Sequence, residues 1–268
     1  MQIKLLLPTL LLYTVYSFSQ HPTESTTKLE ETGIWLGSYF KVRLNDKLGY
    51  YSEHHYRERN ALNNVNSFIG RTRQIYNRFG LNIFVNENFE IVVGPTLVFN
   101  FSPEPGNINF EKYTVEPRIW HQWIIKSPKI GRVKFIHQFR FEHRWKRSNV
   151  VDAEHDYTNR YRYKIFSYIP LNKDVIEPKT LFFSPSAEIF MQSGSSIVRN
   201  PMEDFRTYNG FGYVVNKSIT LFAGHMWTIG QKSSGYEYKT SHVFRFNIYI
   251  GIDARKMADK LPKINLGY

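Results

Sequence analysis

Polar and apolar residues alternate with a period of two along most of this chain, most clearly over residues 132–147, RVKFIHQFRFEHRWKR. The even positions Arg132, Lys134, Gln138, Arg140, Glu142, Arg144 and Lys146 are polar, with Ile136 the one exception. The odd positions Val133, Phe135, Phe139, Phe141 and Trp145 are apolar, and His137 and His143 share their face. Successive strand side chains point to opposite sides, so this stretch predicts a strand with one wet or salt-bridged face and one greasy face. A one-residue slip of register would exchange the two.

The same alternation predicts strands over 33–44, 47–59, 67–84, 89–101, 113–126, 156–171, 179–192, 205–215, 219–230 and about 240–252. Their connections alternate in length. They are short at 45, 86, 127 and 216, with 171–178 completing the short set, and longer at 60, 102, 148, 193 and 231. Short turns on one rim and longer loops on the other are the mark of an up-and-down antiparallel transmembrane β-barrel. A β-sandwich would not require that regularity. The count comes to about eleven, whereas bacterial single-chain barrels have even numbers. We therefore expect an all-β barrel of ten to twelve strands and favour twelve. The extra strand would come from a break within 67–84, from the N-terminal lead, or from the final PKINLGY.

The ends differ from this body. Residues 1–19 carry Lys4, an apolar run from Leu5 to Tyr16, and the small residues Ser17 and Ser19, the layout of a cleaved secretory signal. That run is shorter than the ~20 residues a spanning helix needs. A polar lead over 20–32, a barrel over 33–252 and a tail over 253–268 complete the expected organisation, with the outer membrane as the expected location. The absence of cysteine excludes disulfides and a lipid-modified cysteine. A net charge of +12 is weak evidence for nucleic acid, and the export signal argues against that partner. A mean hydropathy of −0.42 does not argue against a membrane barrel, because alternation averages out in any hydropathy window.

The charged face holds the candidate chemistry. Taking the turn near 129 as a hairpin centre sets Arg118 opposite Arg140 and Glu116 opposite Glu142. Across the next loop, Glu142 would face Arg162 and Arg144 would face Arg160, with Glu188 near Arg162 on the following strand. The lumen would then hold a network of Glu116, Arg118, Arg140, Glu142, Arg144, Arg160, Arg162, Lys164 and Glu188, with Glu142 shared by Arg140, Arg144 and Arg162. Such a network either fills the lumen as interlocked pairs or leaves it electropositive enough to attract an anionic solute or an acidic lipid headgroup. His121 and His137 would face each other on the outer side, but two ligands without a third are thin grounds for a metal site. No catalytic or metal-binding residue is assigned and no cofactor is expected, since nucleophile-elbow, zinc-protease, phosphate-loop and dinucleotide motifs are all lacking.

The succession EPRIWHQW, HQFRFEHRW, NRYRYKIFSYIPL and SPSAEIF resembles the arginine- and glutamate-marked strands of the domain of unknown function 2490 family, outer-membrane β-barrels found mainly in Bacteroidetes. The SFSQ ending of the signal is similar to that of exported proteins of the same group. The resemblance extends from about Trp35 to Ile252 and is most specific from Glu116 to Glu188. It implies a single barrel surrounded by outer-membrane lipid, and no established activity, substrate or cofactor. The basic tail after Ile252 departs from the pattern. The expected role is structural or interactive with a plugged lumen; the alternatives are a narrow anion-preferring channel and a lipid-modifying enzyme.

Overall fold

The computed structural model describes residues 30–61, 64–197, 199–232 and 234–256. They form eleven strands: β1 (Glu30–Arg43), β2 (Leu48–Arg59), β3 (Arg71–Asn86), β4 (Phe89–Phe101), β5 (Tyr113–Lys126), β6 (Lys134–Lys146), β7 (Asp156–Pro170), β8 (Leu181–Ser193), β9 (Met202–Val214), β10 (Ile219–Gln231) and β11 (Tyr238–Asp253). Each strand pairs with its sequence neighbours, and the sheet closes into one barrel.

Closure corrects the favoured count of twelve. β1 and β11 run parallel, in continuous register from Glu30↔Thr240 to Arg43↔Asp253. Every other pair is antiparallel. An odd number of up-and-down strands leaves its first and last members pointing the same way, so the seam must be parallel. A parallel pairing is slightly weaker per residue, but two open edges exposing unpaired amides would cost far more. The stretch 67–84 hides no strand break: from Arg71 onward it is a continuous β3, with register shifts in its pairings only near Arg57/Glu58 and Phe84/Asn86. The wall also reaches beyond the expected 33–252. Glu30 to Thr32 join β1, where Glu31 receives hydrogen bonds from Arg59 (2.7 Å) and Lys239 (2.6 Å), and Asp253 ends β11. The expected signal segment, most of the lead, and PKINLGY lie outside the described residues.

The turns after β1, β3, β5, β7 and β9 share one rim, and the loops after β2, β4, β6, β8 and β10 share the other. Polarity is inverted relative to a water-soluble protein. Leu36, Leu81, Val93, Ile119, Trp123 and Phe246 stand exposed on the outer wall, while Lys41, Glu53, Arg78, Arg118, Glu142 and Arg144 are buried inside. Charged residues are almost never fully buried unless paired, so the interior must be cross-linked by ion pairs. Exposed aromatics mark both rims: Tyr113, Trp145 and Tyr157 at the long-loop end, Tyr50 and Tyr213 at the short-turn end.

The lumen itself has two materials. Along β8–β11 and β1 an apolar cluster of Trp35, Phe182, Tyr208, Val214, Phe222, Met226 and Val243 descends to the short-turn rim, where Tyr168, Tyr249 and Ile176 of the β7–β8 turn pack against it. Phe182 lies where a side chain on Gly212 would sit, 2.0 Å from the Cβ position, so the close approach requires glycine. Ile124, Ile136 and Phe166 form a second apolar cluster at the same end, with Tyr168 packed against it. The remaining wall, β2 to β7, carries most of the charge, joined by Glu188 of β8, Glu203, Asp204 and Arg206 of β9 and Arg245 of β11.

The seam is open to a direct test, because the chain has no native cysteine. Ser38 is in register with Ile248 across the parallel seam and with His54 across β1–β2. A Ser38→Cys/Ile248→Cys pair should cross-link with a short thiol reagent as completely as a Ser38→Cys/His54→Cys control. Cross-linking of the control alone would show that the wall closes differently.

Candidate functional site in the barrel lumen

The charged wall is organised around Glu142, which points inward from the middle of β6 and is 1% exposed. Its two carboxylate oxygens accept hydrogen bonds from four arginines. Arg78 Nη2 (3.0 Å) and Arg162 Nη1 (2.9 Å) reach Oε1, while Arg118 Nη1 (2.8 Å) and Arg160 Nη2 (2.5 Å) and Nε (3.0 Å) reach Oε2. These donors come from β3, β5 and β7, so one carboxylate ties opposite sides of the barrel together. Charge-assisted forks of this kind are the strongest side-chain hydrogen bonds available to a protein.

Further carboxylates extend the network. Glu53 of β2 bonds Arg78, Arg140 (2.7 Å) and the Tyr51 hydroxyl (2.6 Å). Glu188 receives Nε and Nη2 of Arg162 at 2.9 and 2.6 Å, and Glu116 receives Arg118 Nε at 2.9 Å. Glu203 takes Arg144 (2.6 Å) and Arg160 (3.3 Å), while Asp204 holds Arg206. Near the short-turn rim, Glu90 is clamped by Lys41 (2.5 Å) and Lys126 (2.6 Å). The indole of Trp120 lies 5.0 Å from the guanidinium carbons of both Arg78 and Arg140, which adds cation–π attraction in a dry setting.

The structure brings most of the expected residues together but changes their partners. Arg118 stands opposite Arg144 and Trp120 opposite Glu142, so the β5–β6 pairing is displaced by four residues from the predicted one. The cause is the turn. The chain reverses within Ile130–Val133, where Gly131 takes a positive φ of 60°, and not about residue 129. The β6–β7 pairing is displaced by two, setting Glu142 opposite Arg160 and Arg140 opposite Arg162. Arginine side chains are long enough to span neighbouring rungs, so Glu142 still bonds both Arg160 and Arg162. Arg140 and Arg144, expected on Glu142, bond Glu53 and Glu203 instead. Lys164 is opposite Glu188 in register, but its ammonium lies over the Phe166 ring at 4.7 Å.

Sequence reasoning missed Arg78 and Glu203, and it gave no role to Glu53. Arg78 and Glu53 meet the β6–β7 network across the lumen, a contact that no hairpin turn specifies. Their inward parity, shared with Tyr76 on β3 and with Tyr51 and His55 on β2, was the only available signal.

The outer histidines are not arranged as expected either. His121 faces and stacks on Phe141 (4.8 Å), and His137 is opposite Ile125. His137 is hydrogen-bonded to Ser127 Oγ and Tyr163 Oη, each at 2.9 Å, and His143 contacts Tyr157 Oη and Asn159 Oδ1 at 2.8 Å. Local partners thus engage both imidazoles that the alternation put on the greasy face, both ring nitrogens of His137 and Nδ1 of His143.

Two cavities flank the Glu142 layer. On the long-loop side a vestibule of about 670 Å³ is bordered by Arg73, Lys146, Arg147 and Arg199 against Glu116 and Glu203. Toward the short-turn side lies a smaller cavity of about 90 Å³. The β4–β5 and β6–β7 loops are zipped together at the vestibule mouth. Glu111 N donates to Asn149 O (2.8 Å), Val151 N donates to Asn109 O (3.0 Å), and Arg147 makes a two-pronged bond to Glu111, both at 2.6 Å. Those hydrogen bonds from Arg147 hold the Glu111 carboxyl below its ordinary pKa.

In comparison with known proteins, the family model for proteins of unknown function DUF2490 matches residues 32–239 of the chain. No curated protein matches it.

Glu142→Ala should leave Arg78, Arg118, Arg160 and Arg162 without a shared partner, and lower stability in urea unfolding by about 3–5 kcal/mol, the usual loss when a buried pair is broken. A neutral result would mean that these side chains sit in open water. The loop zip makes a separate prediction with a definite sign. Because the folded-state pKa of Glu111 is lowered, the clasp contributes above the ordinary carboxylate range and is lost as pH falls through the lowered folded value. Amide protection at Glu111 and Val151 should therefore drop between pH 7 and pH 3, and Glu111→Gln should show the low value at both. Equal protection in all four cases would remove the clasp's role.

Proposed function

From the premise that this chain belongs to the DUF2490 family of proteins of unknown function, we propose that it is an outer-membrane barrel with a structural or interaction role, its lumen closed by the Glu142-centred network. The observation that carries this reading is the inversion of polarity. An outer wall of exposed leucine, isoleucine, valine and aromatic side chains encloses a wall of buried ion pairs. In water such an exterior would be a very large apolar patch, whereas lipid would cover it. The strands have 12 to 16 residues, and a tilted strand needs ~9–11 to cross the hydrocarbon layer. The exposed tyrosines and tryptophan near the two rims fit the interfacial positions such residues favour.

The closed form is preferred over a narrow anion-preferring channel for two reasons. Most of the arginines that would line a pore are bonded to carboxylates, and the short-turn end is filled by Phe182, Phe222, Val214 and Ile176. The cationic surplus of the vestibule is what the channel reading draws on. We read the protein as non-enzymatic, with lipid as its surroundings and the loop-bearing rim as the surface offered to partners.

Reconstitution into planar bilayers separates the two readings. The closed barrel should insert without a stable ion-selective current. A long-lived anion-selective conductance would replace it with the channel. Mature protein that behaves as a soluble monomer without detergent would overturn the membrane setting itself.

A further inference from the structure

Eight arginine and lysine side chains line the 90 Å³ cavity. Five of them, Arg78, Arg140, Arg160, Arg162 and Arg206, are bonded to carboxylates. The other three, Arg57, Lys164 and Arg245, have no carboxylate partner among the described residues. Arg57 donates to Gln74 Oε1 (3.1 Å), and Arg245 donates to Tyr39 Oη (3.1 Å). Two of these cations are brought together by register. Trp35 of β1 is directly opposite Arg57 of β2 on one side and Arg245 of β11 on the other. Their guanidinium carbons lie 4.0 and 5.5 Å from the Trp35 ring. This rung exists only because β1 and β11 meet in a parallel seam.

The same rung holds three buried N–H donors without an acceptor: Arg57 Nε, Arg245 Nε and Trp35 Nε1. Trp35 is 2% exposed. Buried donors without partners are costly, and buried cations without counter-charge more so. The first deficit calls for a hydrogen-bond acceptor and the second for negative charge, and one small anion supplies both. The cavity of about 90 Å³ has room for a small oxyanion with a few waters.

The geometry points to a built site for a small, multiply charged oxyanion of the phosphate or sulfate class, held by Arg57, Arg245 and Lys164 with the Trp35 indole N–H. The site rests on the closed-lumen reading, because the Glu142 layer on one side and the apolar closure on the other keep it out of bulk water. The anion offsets the positive charge of three cations that make no direct ion pair, and so becomes part of the barrel's interior.

The test uses the full mature barrel, refolded from urea into detergent with chloride as the sole anion, so that no co-purified anion remains. Inorganic phosphate and sulfate are then added during refolding and compared with chloride at equal ionic strength, with thermal unfolding as the readout. The site predicts a saturable rise in Tm with phosphate or sulfate. Arg57→Gln and Arg245→Gln should each weaken the apparent affinity at least tenfold while remaining folded, because they remove uncompensated positive charge. Lys146→Gln in the vestibule should keep the full response. No rise beyond chloride for the wild-type chain would overturn the site, as would an undiminished rise in both arginine variants. An ion-conducting current in bilayers would instead count against the closed lumen, whatever the phosphate response, so the two failures are distinguishable.

Discussion

A carboxylate as deeply buried as Glu142 can remain ionised only if cations replace the water it has lost, and that requirement governs the rest of the barrel. Desolvating a charge costs several kcal/mol, and the cost is offset only by close, well-oriented partners. Four arginines on three other strands supply them. Each of those guanidiniums has spare N–H groups, which recruit Glu53, Glu116, Glu188 and Glu203. The result is a cross-braced layer in which strands far apart in sequence are fixed relative to one another. Its chemistry is also why the outside can be apolar: with most of the charge paired inward, the outward positions are free to be leucine, isoleucine and aromatic residues.

Closure with an odd number of strands is the second constraint, and it has a functional side. The parallel seam sets Arg57, Trp35 and Arg245 on one rung. An extra strand between β1 and β11 would separate Trp35 from Arg245 and dissolve that grouping. Charge is therefore not distributed evenly around the lumen. It is balanced on the β3–β7 side by carboxylates and left positive beside the seam, next to the apolar cluster that fills the β8–β11 side.

Much of this was legible in the chain itself. Strand positions and faces follow from the period-two alternation, because one misplaced residue would turn the whole greasy set of β6 inward. Registers were less legible. The β5–β6 hairpin was centred near 129, whereas Gly131 supplies the left-handed residue that the tight reversal needs, and that two-residue difference in centre moved every rung by four. Cross-lumen partners were not legible at all. The Arg78–Glu142 and Arg140–Glu53 bonds join residues 64 and 87 positions apart, and only closure of the barrel brings them within reach. The even strand number was expected from the habit of such barrels, and the chain's own count of eleven was the better guide.

Separation of the vestibule from the interior by the Glu142 layer is the property on which the closed lumen stands. Lys146 and Gln138 lie on the same face of β6, on either side of Glu142; Lys146 borders the vestibule and Gln138 the smaller cavity. In a chain with no native cysteine, the rates at which a charged, water-soluble thiol reagent modifies Lys146→Cys and Gln138→Cys report directly on that barrier. A closed layer predicts rapid labelling of Lys146→Cys and labelling of Gln138→Cys slower by orders of magnitude. Comparable rates at the two positions would mean that a continuous water path runs past Glu142, and would contradict the closed lumen.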